Sequence, residues 1–239
     1  MNLKIATLAI VSVCSPFLHA QNAQEILEGA RMAATLTKVE EGLSGNLTVK
    51  GKADVPVTLF LKGENIQFQF QEGGVWRVFH MRLNDNAYDL FEIKDGKTIK
   101  FPDEKIVEPI AGTDLSYEDL AFRFFYWPNP ILEGKEEVDG QLCYKLRINK
   151  PKGAAGRYES IYIWVHTKFG AFMKIRGHNK EGQLLKEFQV LKVMEIGNGV
   201  WTLQKMQVRS YAPDTGKPYS ITDVVFESPK KAAPKGLKR

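Results

Sequence analysis

The chain has 239 residues, of which 44% are hydrophobic and 26% charged, a balance that excludes a disordered or fibrous polypeptide and suffices to bury one good-sized core. The net charge of +5 is unevenly spread, with Lys4 alone near the N-terminus and Lys230, Lys231, Lys235, Lys238 and Arg239 crowded into residues 229–239. Without those six, residues 21–228 carry one more acid than base, which argues against a nucleic-acid-binding domain with its charge laid out as a patch on the fold.

In chain order, Lys4 precedes an apolar run from Ile5 to Val13, and Pro16 and Leu18-His19-Ala20 come after it. That is the pattern of a secretory signal peptide cut after Ala20, and the run is too short to span a bilayer as an anchor. Cys14 invites comparison with a lipidation site, but the branched Val13 before it fits the small peptidase pocket poorly, which disfavours lipidation there. Removal of residues 1–20 leaves Cys143 as a lone cysteine, so no internal disulfide is expected. The next element is a helix from about Gln24 to Thr37, its apolar face built from Ile26, Leu27, Ala30, Met32, Ala33, Ala34 and Leu36, with Gly42 and Gly45 beyond its end.

Strands dominate the remainder of the chain. Residues 65–71 alternate polar and apolar at every step, placing Ile66, Phe68 and Phe70 on one face. Leu142, Tyr144, Leu146 and Ile148 repeat the pattern, with Cys143, Lys145 and Arg147 opposite. Ile161 to Val165 is apolar on both faces and is therefore expected to be covered on both; Leu184 to Val193, Trp201 to Val208 and Ser220 to Phe226 read as further strands. Asp95-Gly96, Asp139-Gly140, Glu181-Gly182 and Asn198-Gly199 stand between strand patterns and supply the positive φ of tight hairpin turns, so an antiparallel meander is expected.

One segment breaks this rhythm. Ser116, with Asp119 three residues on, makes a capping box for a short helix from Tyr117 to Tyr126, stopped by Trp127-Pro128-Asn129-Pro130. Leu120, Phe122, Phe124, Phe125, Tyr126 and Trp127 leave that helix little polar surface, so it must be covered or must itself cover something apolar.

Motifs for chemistry are missing from the sequence. His80, His166 and His178 lack partners at metal-ligand spacing, and there is no glycine-rich phosphate loop and no nucleophile elbow. Asp85, Asn86 and Asp89 lack the ordered spacing of a calcium loop and read as a solvated turn. Neither a catalytic set, a metal nor a cofactor is expected.

The stretch Gly112-Thr113-Asp114-Leu115-Ser116-Tyr117-Glu118-Asp119-Leu120, continued by Phe125-Tyr126-Trp127-Pro128-Asn129-Pro130, resembles the LolA-like group of outer-membrane lipoprotein-sorting proteins. Gly140-Gln141-Leu142-Cys143-Tyr144-Lys145-Leu146, Ile163-Trp164-Val165 and Gly182-Gln183-Leu184-Leu185-Lys186 are similar to later strands and hairpins of that group, and the resemblance runs from Gly112 to Phe226. It implies a mainly β (α+β) domain over 21–228. The sheet would be a strongly curved antiparallel one forming an unclosed half-barrel, with the N-terminal helix and the 117–127 plug over its concave face.

It also implies a periplasmic carrier that takes acylated lipoproteins or other lipids from an inner-membrane donor to an outer-membrane acceptor. The residues that would line the hollow are Ile66, Phe68, Phe70, Tyr144 and Trp164 from strands, and Phe122, Phe124, Phe125 and Trp127 from the plug. Arg77 and Arg82 are the possible counterparts of an arginine that matters near such a cavity. The tail at 229–239 is expected to be disordered, and its lysines could touch an anionic membrane surface. The alternative reading is a non-catalytic envelope module that docks a protein partner through 117–127.

Overall fold

The computed structural model describes residues 17–35, 39–62, 65–84, 87–120, 122–197 and 199–228. Most of the expected leader with Cys14, the turn residues Asp85, Asn86 and Asn198, and the basic tail lie outside the described residues.

Alternating sequence and glycine turns produce thirteen strands among the described residues: β1 Val39–Val49, β2 Val55–Lys62, β3 Asn65–Glu72, β4 Val75–Asn84, β5 Ala87–Lys94, β6 Lys97–Lys100, β7 Ile131–Val138, β8 Gln141–Asn149, β9 Ser160–His166, β10 Phe172–His178, β11 Leu184–Gly197, β12 Val200–Tyr211 and β13 Pro218–Phe226. All pair antiparallel in one sheet of order β6-β5-β4-β3-β2-β1-β13-β12-β11-β10-β9-β8-β7. The turns work as their composition requires: Asp95 and Gly96 have φ of 51° and 71°, and Asp139 and Gly140 have 50° and 73°, the left-handed pair of a two-residue hairpin.

The strand order has a direct consequence. β1 to β6 meander outward to one edge, and β7 to β13 meander back from the other edge until β13 pairs with β1. The edges β6 and β7 do not pair, so the sheet is an unclosed half-barrel. Residues 101–130, which join them, must cross the whole width of the sheet, and they do so over its concave face; we call this segment the strap. Its contacts mark the crossing. Phe101 and Tyr117 meet Phe79 of β4, Asp114 bonds Thr222 of β13, Asp119 bonds Lys186 of β11, and Phe122 meets Phe172 of β10. Edge β7 carries Glu133, Lys135, Glu136 and Glu137 and a bulge between Leu132 and Gly134, features that discourage pairing with another sheet.

The helix α1 spans Phe17–Thr35, starting earlier than its apolar pattern alone suggests and running through the Ala20–Gln21 junction. Its buried contacts begin at Ala23 and continue through Leu27 and Ala30, and it packs on β7, β8, β9 and the strap at Arg123–Tyr126.

The plug is not the continuous helix its capping box suggests. It consists of two short 3-10 turns, Tyr117–Asp119 and Arg123–Tyr126. They are separated by Phe122 in the left-handed region at φ 46° and ψ 50°. For a bulky non-glycine residue that conformation costs about 1–2 kcal/mol. Rings on both sides hold it, since Phe122 lies 5.2 Å from Phe172 and 5.8 Å from Phe188, both edge-on. The kink aims Phe122, Phe124 and Phe125 into the hollow, where a straight helix would turn some of them outward.

Candidate functional site

The concave face and the strap together enclose the candidate site, and strap side chains fill it. Two aromatic nests lie side by side. In the first, Phe70 of β3 stacks on Phe79 with centroids 5.5 Å apart and planes at 4°, and Phe101 and Tyr117 of the strap close over them, 4.4 Å from each other. Ile66 and Phe68 share that buried face of β3. In the second, Phe122, Phe124 and Phe125 pack together at 5.6–5.7 Å, against Phe172, Phe188 and Tyr158. Trp127 touches Phe124 edge-on and stays half-buried.

Seven of the nine sequence-derived candidates therefore fall into these nests. Tyr144 shares the concave side of β8 with the core residues Leu146 and Ile148, but it remains partly exposed, with Lys135 5.1 Å above its ring. Trp164 is a correction. On β9, Ile161, Ile163 and Val165 take the concave positions, and Trp164 points to the convex side among Val138 and Cys143. There Lys174 lies 4.2 Å over its ring, Lys145 and Arg176 stand further out, and its indole N–H donates to Glu136 at 2.8 Å. The strand is apolar on both faces because the aliphatic stems of those cations cover the outer one. Cys143 is buried in this same outer cluster, and burial pushes its thiol pKa up, as for a packing residue rather than a nucleophile.

Between the nests runs a buried polar latch that sequence spacing does not reveal. Asp119 is fully enclosed. Its Oδ2 accepts from Lys186 Nζ at 2.6 Å, from the Ser116 hydroxyl at 2.7 Å and from the Ser116 backbone N–H at 2.8 Å; its Oδ1 accepts from the Tyr158 hydroxyl at 2.8 Å. Burial first, and then the Asp119 charge, hold the Tyr158 phenol well above its ordinary pKa. Glu118 is also buried and accepts from the Arg157 backbone N–H at 3.0 Å and from Arg157 Nε at 3.2 Å. Burial outweighs this pairing and raises the Glu118 pKa, with the neighbouring Asp119 charge adding to the effect. A third clamp lies at Asp114, which accepts from the hydroxyls of Thr222 and Ser220 at 2.8 and 2.9 Å. The sequence signals were the Ser116–Asp119 capping box and Lys186, a cation in the apolar register between Leu184 and Phe188.

Of the two arginines, only Arg77 faces the hollow. Its guanidinium lies 5.4 Å over Phe79 and 5.9 Å over Phe70, and it pairs with Glu92 at 2.7 Å and Glu72 at 3.0 Å. Burial pushes the nearby Tyr117 phenol up to about 12, Arg77 opposing it. Arg82 lies over Phe91, outside the core. An open cleft of about 470 Å³ lies between Lys52–Pro56, Gln71–Gly74 and Ala111. Among the described residues no three His, Cys, Asp or Glu side chains gather as a metal site would require, and no helix is long and apolar enough to cross a membrane.

Comparison with known proteins places this geometry. No curated protein sequence matches the chain significantly. Among solved structures, an outer membrane lipoprotein-sorting protein domain from Vibrio parahaemolyticus superposes with a TM-score of 0.68 at 15% identity, covering 87% of this chain and 91% of that one. A DUF1329 family protein from Desulfovibrio piger gives 0.67 at 16% identity over 87% and 91%, and a LolA superfamily protein from Nitrosomonas europaea gives 0.61 at 16% over 86% and 91%. At these identities the likeness is one of fold. A family model described as "Uncharacterized protein"-like matches residues 78–231, well over half of the sequence. The chain belongs to that family, and it is built on the half-barrel that LolA superfamily and lipoprotein-sorting domain structures share.

Proposed function

We propose that this protein is a periplasmic carrier for lipoprotein acyl chains or other lipidic ligands that takes part in outer-membrane lipoprotein sorting. The observation that carries the proposal is the roofed hollow: an apolar concave face covered by a strap that is anchored to the sheet through buried polar groups. The half-barrel shared with lipoprotein-sorting domains supports it.

The physical need is clear. A buried methylene is worth about 0.8 kcal/mol, so one long acyl chain represents on the order of 10 kcal/mol of burial and does not cross water quickly unless a protein hides it. A carrier must also let go. Here Phe122, Phe124 and Phe125 occupy the space that a chain would take, so cargo must displace them, and their return drives release. The net affinity is the difference between burying the cargo and burying these rings. In this reading residues 1–20 are the leader, 21–228 the carrier domain and 229–239 a basic extension, and the nests around Phe70 and Phe125 bind ligand without catalysis. Inner-membrane donor and outer-membrane acceptor complexes would be its partners. The docking-module alternative gains little, because Tyr117, Phe124 and Phe125 turn inward and are buried.

Native mass spectrometry of the protein purified from the periplasm of its host tests this. Co-purifying acylated lipoprotein is the expected result, and a smaller apolar molecule would keep the hollow and change the cargo. A protein that is empty and also takes up no fluorescent fatty-acid probe would sink the carrier reading.

A further inference from the structure

β2 and β3 separate before either strand ends. They pair from Lys62 and Asn65 only as far as Val57 and Phe70. Beyond that rung Pro56 and Val55 stay with β1, and Gln71 and Glu72 stay with β4, so the sheet forks. Pro56 stands at the fork and has no N–H to give a neighbouring strand, a local reason for the ladder to stop there. The cleft of about 470 Å³ lies in this fork, with Val55 and Pro56 on one side and Gln71 and Glu72 on the other. Ala111 of the strap adds a third wall, and Lys52 ties the strap down beside it by donating to the Gly112 carbonyl at 2.6 Å.

The surroundings of the fork say what fits it. Its inner end meets the hollow: the last paired rung, Val57 and Phe70, is buried, and Val55 and Ala111 pack on the same core. Its sides are strand backbone with no strand between them, so polar groups that a continued ladder would have paired need partners there. The charged side chains of the lining are already engaged. Asp54 accepts from the Thr48 hydroxyl at 2.8 Å, Glu72 pairs with Arg77 at 3.0 Å, and Lys52 holds Gly112. An anionic headgroup therefore meets no uncommitted cation among the described lining residues, whereas an uncharged peptide backbone brings both the donors and the acceptors that strand edges take. At the outer end Gly73 and Gly74 turn β3 into β4, and no atom lies within 4 Å of where a β-carbon would stand on either, so the way out is clear.

We propose that the fork is the exit for the protein part of the cargo: the first residues of a polypeptide attached to an acyl chain lie there as an extended segment, hydrogen-bonded to β2 and β3. The peptide site rests on the carrier reading of the hollow, because the acyl chain brings the peptide to it.

The test uses the intact protein and displacement of a fluorescent fatty-acid probe by two competitors, lauramide and an N-lauroyl peptide amide of small uncharged residues. The lauroyl peptide is expected to compete roughly tenfold better than lauramide, as one or two added hydrogen bonds would give. The same peptide N-methylated along its backbone should fall back to the lauramide value, since it no longer donates. Ala53 lines the fork from the exposed turn between β1 and β2. Ala53→Trp should fill the fork and remove the roughly tenfold advantage of the peptide, with lauramide competing as before and thermal unfolding as in the parent. Equal competition by the two ligands in the parent protein, or a peptide advantage that survives Ala53→Trp, would overturn the fork as a peptide site and leave the carrier reading standing. A fluorescent probe that never binds would instead sink the carrier reading, and the peptide site with it.

Discussion

The strap and the β11–β12 hairpin are inversions of each other. The strap carries charge into the interior, with its Asp119 enclosed against Lys186 of β11 between the aromatic nests, whereas the β11–β12 hairpin carries hydrocarbon out into solvent at Val193 and Trp201. Both are costly by the ordinary rules of folding, and the costs differ in kind. A buried ion pair is expensive to desolvate, and removing one partner is worse than having neither, so it sets the strap in one place without adding much net stability. An exposed apolar tip costs almost nothing in folding stability and shows its effect only when something covers it. The comparison predicts that variants in the strap change stability and those at the hairpin tip leave it almost unchanged.

The largest effect is expected at the latch. Lys186→Met leaves Asp119 charged, buried and without its cation, and should destabilise the protein by about 3–5 kcal/mol in urea unfolding. Combined with Asp119→Leu it should recover most of that loss. Recovery stays incomplete because the hydroxyls of Ser116 and Tyr158 lose their acceptor. A double variant as unstable as the single would show that the charges stabilise rather than merely position the strap.

Gly177→Ala comes next. A β-carbon there would overlap the Tyr158 ring, which packs against the β10 backbone and donates to Asp119. Overpacking of this kind should cost about 1–3 kcal/mol in chemical denaturation.

A smaller, pH-dependent effect is expected at Glu118. Its folded pKa is raised by burial above the ordinary 4.5, so the stability it contributes is fully present below 4.5 and is lost as pH rises through the raised value. Glu118→Gln, uncharged throughout, should flatten that part of the stability curve; urea midpoints of both proteins from pH ~4 to pH ~7 would reveal it. Parallel curves would mean that Arg157 fully compensates the buried carboxylate. The smallest effect belongs to the hairpin tip, where Trp201→Ser should change unfolding free energy by no more than about 0.5 kcal/mol. A loss well above that would mean the indole packs on the protein.

The antiparallel character of the sheet and six of its thirteen described strands were legible because strand and turn chemistry is local. Alternation over 65–71 marks β3 with its concave Ile66, Phe68 and Phe70, and aspartate-glycine pairs mark their hairpins. The aromatic content of 117–127 correctly marked a covered segment, but its capping box suggested a helix. Packing against Phe172 and Phe188 decided for a kink at Phe122 instead, because rings from two strands compensate a strained backbone angle that no local propensity favours.

The sequence by itself marked six of the thirteen described strands, antiparallel pairing through tight turns, and an aromatic segment that had to be covered, all properties of residues a few positions apart. Only the tertiary structure decided which side was inside. Alternation says that neighbours face opposite ways, but where both faces are apolar, as on β9, it does not say which is core; Trp164 went to the convex side under Lys174. The Asp119–Lys186 pair, 67 residues apart, exists because the strand order forces the strap across the sheet, and chain spacing does not encode a contact made by that crossing.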